Sequence, residues 1–236
     1  MFLVIYYNEF FKELEKHEIV LSSYQQKQFE LYEKILVEEN EKINLTSIVE
    51  TEEVVDKHFY DSSLFLFYKE IKGTLVDVGT GAGFPGVVCK IINPNIKLVL
   101  IEPIKKRCLF LEKLVNELGL KDVEIVNTRG EDYSIIYRSK FDFVTARAVS
   151  NINILIEVCG AMVKKGGYFV CLRGKDGRKE IEEAQKAIKT MGFSVQEIVD
   201  ASLYDGSSRV ISFFKKDKDT PKSFPRKYNI IKKNPL

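Results

Sequence analysis

The most chemically suggestive segment of the chain is DVGTGAGFPG, which spans residues 77–86 and holds four glycines and one proline. Within it, residues 81–86 match the pattern GxGxxG, whose glycines let a ligand lie directly against the backbone between a strand and a helix. The same glycines also suit a tight turn with no ligand. The pattern alone therefore leaves both interpretations open, and the flanking residues must decide between them.

Two carboxylates and the proline favour a cationic cofactor without phosphates. Glu102 ends the second predicted strand, where a carboxylate accepts hydrogen bonds from both hydroxyls of a ribose. Asp77 lies two residues before the first glycine, where a carboxylate repels a pyrophosphate but attracts a sulfonium and an amino group. Pro85 removes one of the amides that would hold a pyrophosphate. We therefore predict that the loop binds S-adenosylmethionine rather than a nicotinamide dinucleotide. The binding residues predicted on these grounds are Asp77, Gly81, Gly83 and Glu102.

The third and fourth predicted strands also end in polar groups. Residues 129–132 (RGED) follow the third strand, where polar groups reach the edge of an adenine; a plain turn with a solvated acidic pair is the alternative. Arg147 ends the fourth strand, where a substrate would meet the transferred group. A structural ion pair with Asp142 or Glu157 is the alternative for this arginine.

These groups require a sheet that brings the ends of several strands to one edge. Up to about residue 71, apolar residues recur every three or four positions, which predicts amphipathic helices packed on a larger body. After residue 73, short β-rich runs alternate with helical stretches, one of them closed by Gly119 and another, from Ile181 to Met191, closed by Gly192. The predicted strands span residues 74–79, 97–102, 123–127, 141–146, 167–172, 195–199 and 209–214.

This alternation predicts an α/β fold of the Rossmann-like kind, with a mostly parallel seven-stranded sheet, helices on both faces and an N-terminal helical extension. Ligands in such folds bind at the carboxyl ends of the strands. We expect a helical extension at residues 1–71, a cofactor-binding domain at residues 72–214 and a C-terminal tail at residues 215–236. The tail contains proline and lysine, and we expect it to be extended rather than packed.

The composition is that of an ordinary globular chain of 236 residues, of which 45% are hydrophobic. No apolar run approaches the roughly 18 residues that a membrane helix needs. The opening residues MFLVIYY follow no basic residue, and no small-residue cleavage site comes after them, so we expect no export signal. These features predict a cytoplasmic protein that does not enter a membrane.

The cysteine and histidine content argues against a metal site. The cysteines at positions 89, 108, 159 and 171 form no CxxC pair, and the two histidines, His17 and His58, lie far apart in sequence. A closed zinc site needs four ligands at recognisable spacings. We therefore expect no metal cofactor, and cysteines that are buried and reduced.

The charge is distributed unevenly along the chain. Residues 215–236 hold eight basic and two acidic residues, a net charge of +6, which leaves −4 for the rest of a chain whose total is +2. A basic tail on a mildly acidic body suits a polyanionic partner, because each cation near a phosphate displaces a condensed counterion. A solvated terminus that only aids solubility is the alternative.

Taken together, the motifs resemble one bacterial family. NLTS (44–47), KHFYDS (57–62), DVGTGAGFPG (77–86), ARAVSN (146–151), KKGGYFVCLRG (164–174) and TPKSFPRK (220–227) closely resemble the small-subunit ribosomal RNA methyltransferase G family, also known as glucose-inhibited division protein B. The resemblance covers nearly the whole chain. It implies the fold of S-adenosylmethionine-dependent methyltransferases and an enzyme that methylates N7 of a guanine in the 530 loop of 16S rRNA, at position 527 of that rRNA.

The resemblance also implies a set of cofactor contacts. They fall on Gly79, Phe84, Gly130, Glu131 and Arg147. Two departures from the pattern of some members stand out: Ala82 replaces a proline between flanking glycines, and Arg173 replaces a lysine. A guanidinium donates through several N–H groups in one plane, whereas an ammonium acts as a point charge, so an arginine at position 173 contacts a phosphate differently from a lysine.

The implied chemistry needs no general base, because guanine N7 already carries a lone pair in the plane of the ring. Catalysis can then rest on holding N7 in line with the transferred methyl group and on excluding water. The residues that we expect to line the substrate side are Asn44, His58, Asp61, Arg147 and Arg209. Two alternatives remain: His58 and Asp61 as a purely structural pair, and Asn44 as the N-cap of the segment that begins near Leu45.

The RNA must present its base in a loop, because the major-groove edge of an A-form helix is closed to side chains. We expect basic residues around the site and in the tail to hold the flanking phosphates. They are Arg129, Lys164, Lys165, Arg173, Lys175, Arg178, Arg209, Lys222, Arg226 and Lys227. The expected partner is 16S rRNA, either naked or in an assembling small subunit, and the enzyme is expected to be a monomer. A nicotinamide-dependent oxidoreductase and a non-catalytic RNA-binding module are the alternatives.

Overall fold

A seven-stranded sheet forms the centre of the protein. The computed structural model describes residues 3–147 and 150–236; the expected motif residues Ala148 and Val149, and the first two residues of the opening segment, lie outside this range. The strands are β1 (Thr74–Val78), β2 (Lys97–Ile101), β3 (Val123–Val126), β4 (Phe141–Arg147), β5 (Val163–Arg173), β6 (Phe193–Ser202) and β7 (Ser208–Lys216). Their order is β3-β2-β1-β4-β5-β7-β6, and only β7 runs against its neighbours. The mostly parallel seven-stranded sheet predicted from the sequence is confirmed.

The strand order reverses between β1 and β4, and this reversal determines where a ligand can bind. From β1 the chain continues to β2 on one side, whereas β4 leads to β5 on the other. A crevice opens beyond the carboxyl ends of strands at such a switch point. Asp77 and Thr145 are paired across it, so the glycine loop that follows β1 and the residues that follow β4 share one edge of the sheet.

Helices cover both faces of this sheet. Side chains alternate along each central strand, so that Leu75 packs in one hydrophobic cluster and the next residue, Val76, packs in the other. The helices are α1 (Leu3–Lys16), α2 (Ser23–Ile43), α3 (Thr51–Val54), α4 (Asp61–Ser63), α5 (Gly86–Ile92), α6 (Lys105–Glu117), α7 (Gly130–Ile136), α8 (Ile152–Gly160), α9 (Gly177–Glu183), α10 (Gln185–Thr190) and α11 (Tyr228–Lys233). Apolar residues of α1, α2, α5 and α6 cover one face, and those of α7 to α11 cover the other.

The predicted N-terminal helices are confirmed, and they are integral to the hydrophobic core. Phe10, Phe29 and Phe59 are fully buried and stack edge to face or tilted against one another. They belong to the same cluster as Leu75 of β1 and Phe84 of the glycine loop. The chain between α3 and β1 is also helical, with a π-helical turn at Val55–Tyr60 and a 3-10 turn at Leu64–Phe67 on either side of α4. The N-terminal region therefore supports the edge of the sheet where the ligand site was predicted.

The second predicted helical stripe is divided in two. Ile181, Ala184, Ile188 and Met191 all face one cluster, as predicted, but the helix is interrupted at Ala184. The side-chain amide of Gln185 donates to the carbonyl of Ile181 at 2.9 Å, the acceptor that its own backbone amide would use in a continuous helix. Gly119 and Gly192 both follow helices with positive φ, of 64° and 83°, as predicted for C-terminal caps.

The prediction of an extended tail is wrong. Ile231 on α11 is fully buried against the cluster that includes α8, and Arg138 donates to the carbonyls of Thr220 and Phe224, both at 2.6 Å. Lys216, which belongs to the basic segment, is 1% exposed and donates to the carbonyls of Gly160 and Met191. The high content of charge and proline suggested an extended segment, whereas its packing depends on partners that are distant in sequence.

The four cysteines are free and buried, as predicted. Across residues 3–147 and 150–236, the structure has no helix long and apolar enough to cross a membrane. In the same part of the chain, no three histidine, cysteine or acidic side chains come together as a group that would hold a metal ion.

Candidate functional site

The glycine loop follows β1 and turns back on itself before α5 begins. Gly79, Gly81 and Gly83 have positive φ angles of 68°, 61° and 102°, a conformation that side chains rarely adopt. A Cβ at Gly83 would lie 2.6 Å from Tyr32 Oη, whereas a Cβ at Gly81 would meet no atom closer than the Gly79 carbonyl at 4.0 Å. One face of the loop is thus closed by α2, and the backbone at Gly81 is open to a ligand.

Asp77 lies beneath this loop and organises it. Its Oδ2 accepts hydrogen bonds from Thr80 Oγ1 at 2.7 Å and from the Gly86 amide at 2.8 Å, while Oδ1 is buried without a partner. Burial raises the pKa of Asp77 to about 7, against the opposing effect of these two bonds. The carboxylate is fully buried and lines neither of the two cavities described below. Direct contact of Asp77 with the cofactor is therefore corrected to a supporting position under the loop.

Glu102 is placed at the end of β2 beside the loop, as predicted. Its Oε2 accepts from the Gly81 amide at 3.0 Å, and its Oε1 accepts from the Ile104 amide at 2.9 Å. A narrow cavity of about 90 Å³ opens next to it, at the start of α7 and α8. This cavity is lined by Val78, Gly79, Pro103, Arg129, Gly130, Glu131, Ser150, Ile154, Leu155, Val158 and Tyr228. Gly79, Gly130 and Glu131, which the sequence placed in the cofactor site, are thereby brought together.

Three aromatic rings form a stack behind the loop. The ring of Phe84 lies between Tyr32, at a centroid distance of 5.2 Å, and His58, at 4.4 Å. Tyr32 is fully buried on α2, and its hydroxyl donates to the Ala82 carbonyl at 2.6 Å. The helical extension is therefore joined to the glycine loop by a stack and by a hydrogen bond.

His58 is held as a neutral ring. Its Nε2 lies 2.9 Å from Thr46 Oγ1, and its Nδ1 lies 3.3 Å from Nη2 of Arg147. Nδ1 also lies 3.2 Å from the Lys57 carbonyl, which can only accept, whereas the guanidinium can only donate, so these two contacts favour opposite tautomers of the ring. Burial, together with the nearby positive charge of Arg147, lowers the pKa of His58 to about 3.

Arg147 is anchored from several sides at the carboxyl end of β4. Its Nη1 donates to the Lys57 carbonyl at 2.9 Å and to Asp61 Oδ2 at 3.0 Å, and its Cζ lies 5.0 Å from the centre of the Phe84 ring. The alternative pairing of Arg147 with Asp142 or Glu157 is wrong, because Asp142 pairs with Lys164 and Glu157 pairs with Arg226. The other oxygen of Asp61 accepts from Nε of Arg209 at 2.8 Å.

A larger cleft opens over these groups. It has a volume of about 600 Å³ and shares Ser150 with the narrow cavity. It is lined by Ile48, Lys57, His58, Asp61, Arg147, Ser150, Asn151, Leu172, Arg173, Gly174 and Arg209. Four of these side chains are cations and one is a carboxylate, so the cleft suits an anionic ligand.

Several residues predicted to contact the substrate or RNA are placed elsewhere. Asn44 is exposed and ends α2 with a φ of 49°, so it is the C-cap of that helix rather than an N-cap, and it does not line the cleft. Lys164 and Lys165 lie at the start of β5, roughly 30 Å from Arg173 at its other end. Arg226 points inward to Glu157, which is fully buried.

The other residues predicted to contact RNA line the cleft, line a groove beside it or are exposed on the surface. Arg173 lines the cleft but donates to Glu180 Oε1 at 2.7 Å. A shallow groove beside the cleft is lined by Lys175, Arg178 and Arg209, and Arg178 pairs there with Asp200. Arg129 lies 3.6 Å from Glu131, and the tail residues Lys222 and Lys227 are exposed.

Sequence reasoning missed several residues that hold the site together. Tyr32 and Tyr228 contribute through contacts with residues distant in sequence, for which single-chain patterns give no signal. Thr46 and Lys57 lie inside the motifs NLTS and KHFYDS, but no role was predicted for either of them. Thr80 was discoverable, since a hydroxyl three residues after a strand-end aspartate favours a local side-chain hydrogen bond.

Comparison with solved structures shows which proteins share this fold. A SAM dependent methyltransferase from Aquifex aeolicus aligns with a TM-score of 0.54 at 19% identity, covering 72% of this chain and 96% of that chain. A ribosomal protein L11 methylase from Lactobacillus delbrueckii subsp. bulgaricus aligns with a TM-score of 0.52 at 17% identity, covering 69% and 79%. The fold is that of the Rossmann-like methyltransferases, as predicted.

Sequence comparison then gives the family. The model of the GidB family, rRNA small subunit methyltransferase G, matches residues 25–207. The chain is 44% identical over 235 residues to ribosomal RNA small subunit methyltransferase G of Lactobacillus acidophilus, covering 97% of this chain and 98% of that protein. It is 43% identical over 229 residues to the protein of the same name from Staphylococcus saprophyticus, covering 95% and 96%. The chain belongs to the rRNA small subunit methyltransferase G family, which sets aside the oxidoreductase and the non-catalytic module.

Proposed function

We propose that the enzyme transfers the methyl group of S-adenosylmethionine to N7 of a guanine in the 530 loop of 16S rRNA, at position 527 of that rRNA, and releases S-adenosylhomocysteine. Membership of the family supports the reaction class. The structural observation that carries the proposal is the position of the anion-favouring cleft next to the glycine loop, with Arg147 at the junction. An RNA strand supplies the negative charge that such a cleft requires.

The residues around the narrow cavity fit the cofactor. Glu102 is buried next to the open backbone of Gly81, where its remaining lone pairs would be available to the hydroxyls of a ribose, and Gly130 and Glu131 line the cavity that would hold an adenine. The unpartnered Oδ1 of Asp77 leaves a negative potential under the loop, which favours a cationic ligand above it. These residues all belong to the cofactor-binding domain that we propose at residues 72–214, with residues 1–71 as a supporting helical extension.

The chain contributes position rather than proton transfer. S-adenosylmethionine supplies an electrophilic methyl group, and guanine N7 needs no deprotonation before it attacks. His58 is neutral, and both of its nitrogens lie within hydrogen-bonding distance of a partner. Its ring stacks on Phe84 and contacts Arg147, so it holds both side chains in place. Asp61 holds Arg147 and Arg209 in fixed positions for a phosphate or base oxygen of the RNA.

The cellular setting follows from this substrate. We propose a cytoplasmic enzyme that acts as a monomer, without a metal, on 16S rRNA or an assembling small subunit. The exposed lysines of the groove and tail, Lys175, Lys222 and Lys227, would contact phosphates that flank the target loop.

Mapping of N7-methylguanosine in 16S rRNA tests the proposal directly. Cells that lack the gene should lose one mark in the 530 loop, and purified enzyme should restore it in RNA or subunits from those cells. A substrate with 7-deazaguanine at the target position keeps the base-pairing edge but has no N7, so it should accept no methyl group. Methylation of the 7-deaza substrate would refute the assignment of N7, and an unchanged map in the mutant cells would refute the substrate.

A further inference from the structure

Tyr228, on the C-terminal helix, lines the narrow cavity together with Gly79 and Gly130. The guanidinium carbon of Arg129 lies 5.2 Å from the centre of its ring. Residue 228 lies beyond the segment that the family model matches, and charge alone predicted a role for this tail in holding RNA. Its position against the cavity indicates a different role.

A buried ion pair fixes the segment that carries Tyr228. Arg226 donates from its backbone amide and from Nε to Glu157 Oε1, at 3.0 and 2.8 Å, and from Nη2 to Oε2 at 2.6 Å. Glu157 is fully buried on α8, the helix whose residues Ile154, Leu155 and Val158 form another wall of the same cavity. Three residues after Tyr228, the same helix buries Ile231. The tyrosine is thus held at a defined place, not on a loose terminus.

The lining of the cavity matches a flat heteroaromatic base. Apolar side chains of Val78, Ile154, Leu155 and Val158 form one part of the wall, and the Tyr228 ring forms another. Glu131, 6% exposed, offers a carboxylate that can accept from an exocyclic amino group at the edge of such a base. The Arg129 side chain is 56% exposed, so it is free to move away from the Tyr228 ring. This movement would widen the narrow cavity enough to admit a ligand.

We infer that Tyr228 is a binding residue for the adenine base of the cofactor, and that the Arg226 and Glu157 pair positions it there. This inference rests on the proposed use of S-adenosylmethionine. It gives the basic C-terminal segment a role in the cofactor site, carried by its aromatic residue and by the inward-facing arginine.

Replacement of Tyr228 separates this role from RNA binding. Tyr228→Ala should weaken binding of S-adenosylmethionine and of S-adenosylhomocysteine by about tenfold or more, as expected for loss of an aromatic surface under a base. Tyr228→Phe keeps the ring and should bind both within about twofold of the wild type. RNA affinity and its salt dependence should be unchanged in both variants, because the cavity binds only the cofactor. Titration calorimetry with each ligand and a filter-binding assay with 16S rRNA measure these quantities.

One further variant is a control, and another tests the positioning role of Glu157. Ile230→Ala alters an exposed residue of the same helix that does not line the cavity, and it should leave cofactor affinity unchanged. Glu157→Gln removes the charge that anchors Arg226 and should weaken cofactor binding while leaving every cavity residue intact. Unchanged cofactor affinity in Tyr228→Ala, or a loss of RNA binding in place of cofactor binding, would overturn the inference alone. Failure of the wild-type enzyme to bind either ligand would overturn the proposed function with it.

Discussion

Arg147 and Asp61 are joined by a hydrogen bond of 3.0 Å between Nη1 and Oδ2, across 86 residues of sequence. The same carboxylate accepts from Arg209 through its other oxygen. One buried acid therefore orients two arginines, one from β4 and one from β7, at the floor of the cleft.

Asp61→Asn is expected to lower the single-turnover methylation rate by about tenfold or more. Asparagine keeps the shape but loses the charge, so the two guanidiniums repel each other and Arg147 loses its orientation. The free energy of unfolding should fall by up to about 3 kcal/mol, because a largely buried pair is broken. Glu70→Gln, which breaks the exposed pair with Lys72, is the control and should leave the rate unchanged. An unaltered rate in Asp61→Asn would remove this residue from the site.

The affinity for S-adenosylmethionine should rise with pH between about 6 and 8. The pKa of Asp77 is raised by burial to about 7, so the carboxyl is largely neutral below this value and negatively charged above it. A sulfonium above the loop is stabilised only by the charged form. S-adenosylhomocysteine lacks the sulfonium, so its affinity should rise less, and Asp77→Asn should abolish the difference. Calorimetric titrations at several pH values measure both ligands; parallel pH curves in the wild type would contradict the assignment.

The same raised pKa affects stability in the opposite direction. Because the folded protein binds a proton at Asp77 more tightly than the unfolded chain, the contribution of this group is greatest below about pH 4 and is lost as the pH rises through about 7. Thermal unfolding of the ligand-free Asp77→Asn variant should therefore depend less on pH over this interval than that of the wild type.

The pH profile of kcat should show no change caused by titration of His58 between about pH 6 and 8. The pKa of this histidine is lowered by burial to about 3, so the ring stays neutral over the assay range. His58→Phe keeps the stacking surface but loses the contacts with Thr46 and Arg147, and it should lower kcat without changing the shape of the profile. A wild-type limb near pH 6.5 that disappears in His58→Phe would show that His58 transfers a proton.

Tyr32→Phe is expected to weaken cofactor binding several-fold, although the residue lies on α2. The substitution leaves the Ala82 carbonyl of the loop without its buried donor, which costs about 1–2 kcal/mol. Tyr7→Phe removes a comparable hydroxyl, which donates to Glu33 at 2.6 Å in the same N-terminal helices, and serves as the control. Both variants should lose stability, but only Tyr32→Phe should change the dissociation constant of the cofactor. Equal effects on that constant would reduce Tyr32 to a packing residue.

Cations at the two ends of β5 should contribute unequally to RNA binding. Lys175→Ala, in the groove beside the cleft, should reduce the slope of log K against log salt by about one, as for a single phosphate contact. Lys165→Ala, at the opposite end of the strand, should leave the slope unchanged. A filter-binding series in increasing salt makes the comparison, and equal slopes for the two variants would contradict the proposed path of the RNA.

The sequence predicted the sheet well because each strand is a short apolar run that both faces of the sheet must bury. The rule that ligands bind beyond the carboxyl ends of parallel strands then brought Gly79, Glu102 and Arg147 to one edge, where the structure has them. These predictions depended on local patterns, and local patterns are readable in a single chain.

The errors share a different cause. In the sequence, Arg226 has the properties of a free cation, because its partner Glu157 lies 69 residues earlier. Lys216 likewise resembles a surface lysine, although the structure buries it. Asp77 was read as a ligand contact because its neighbours in sequence suggested it, whereas Thr80 and Gly86 fold over it. Ion pairs and buried polar contacts between distant residues are decided by the packed structure.

Two tyrosines from opposite ends of the chain support or line the proposed cofactor site: Tyr32 on α2 bonds to the glycine loop, and Tyr228 on α11 lines the narrow cavity. A chain in the course of synthesis therefore has its glycine loop and all seven strands before it has a finished site. Full affinity for the cofactor would arise only once residues near 231 have been added and have packed against α8. Under the proposed function, an incomplete copy of this enzyme would bind the cofactor weakly while it is still attached to the ribosome that is making it.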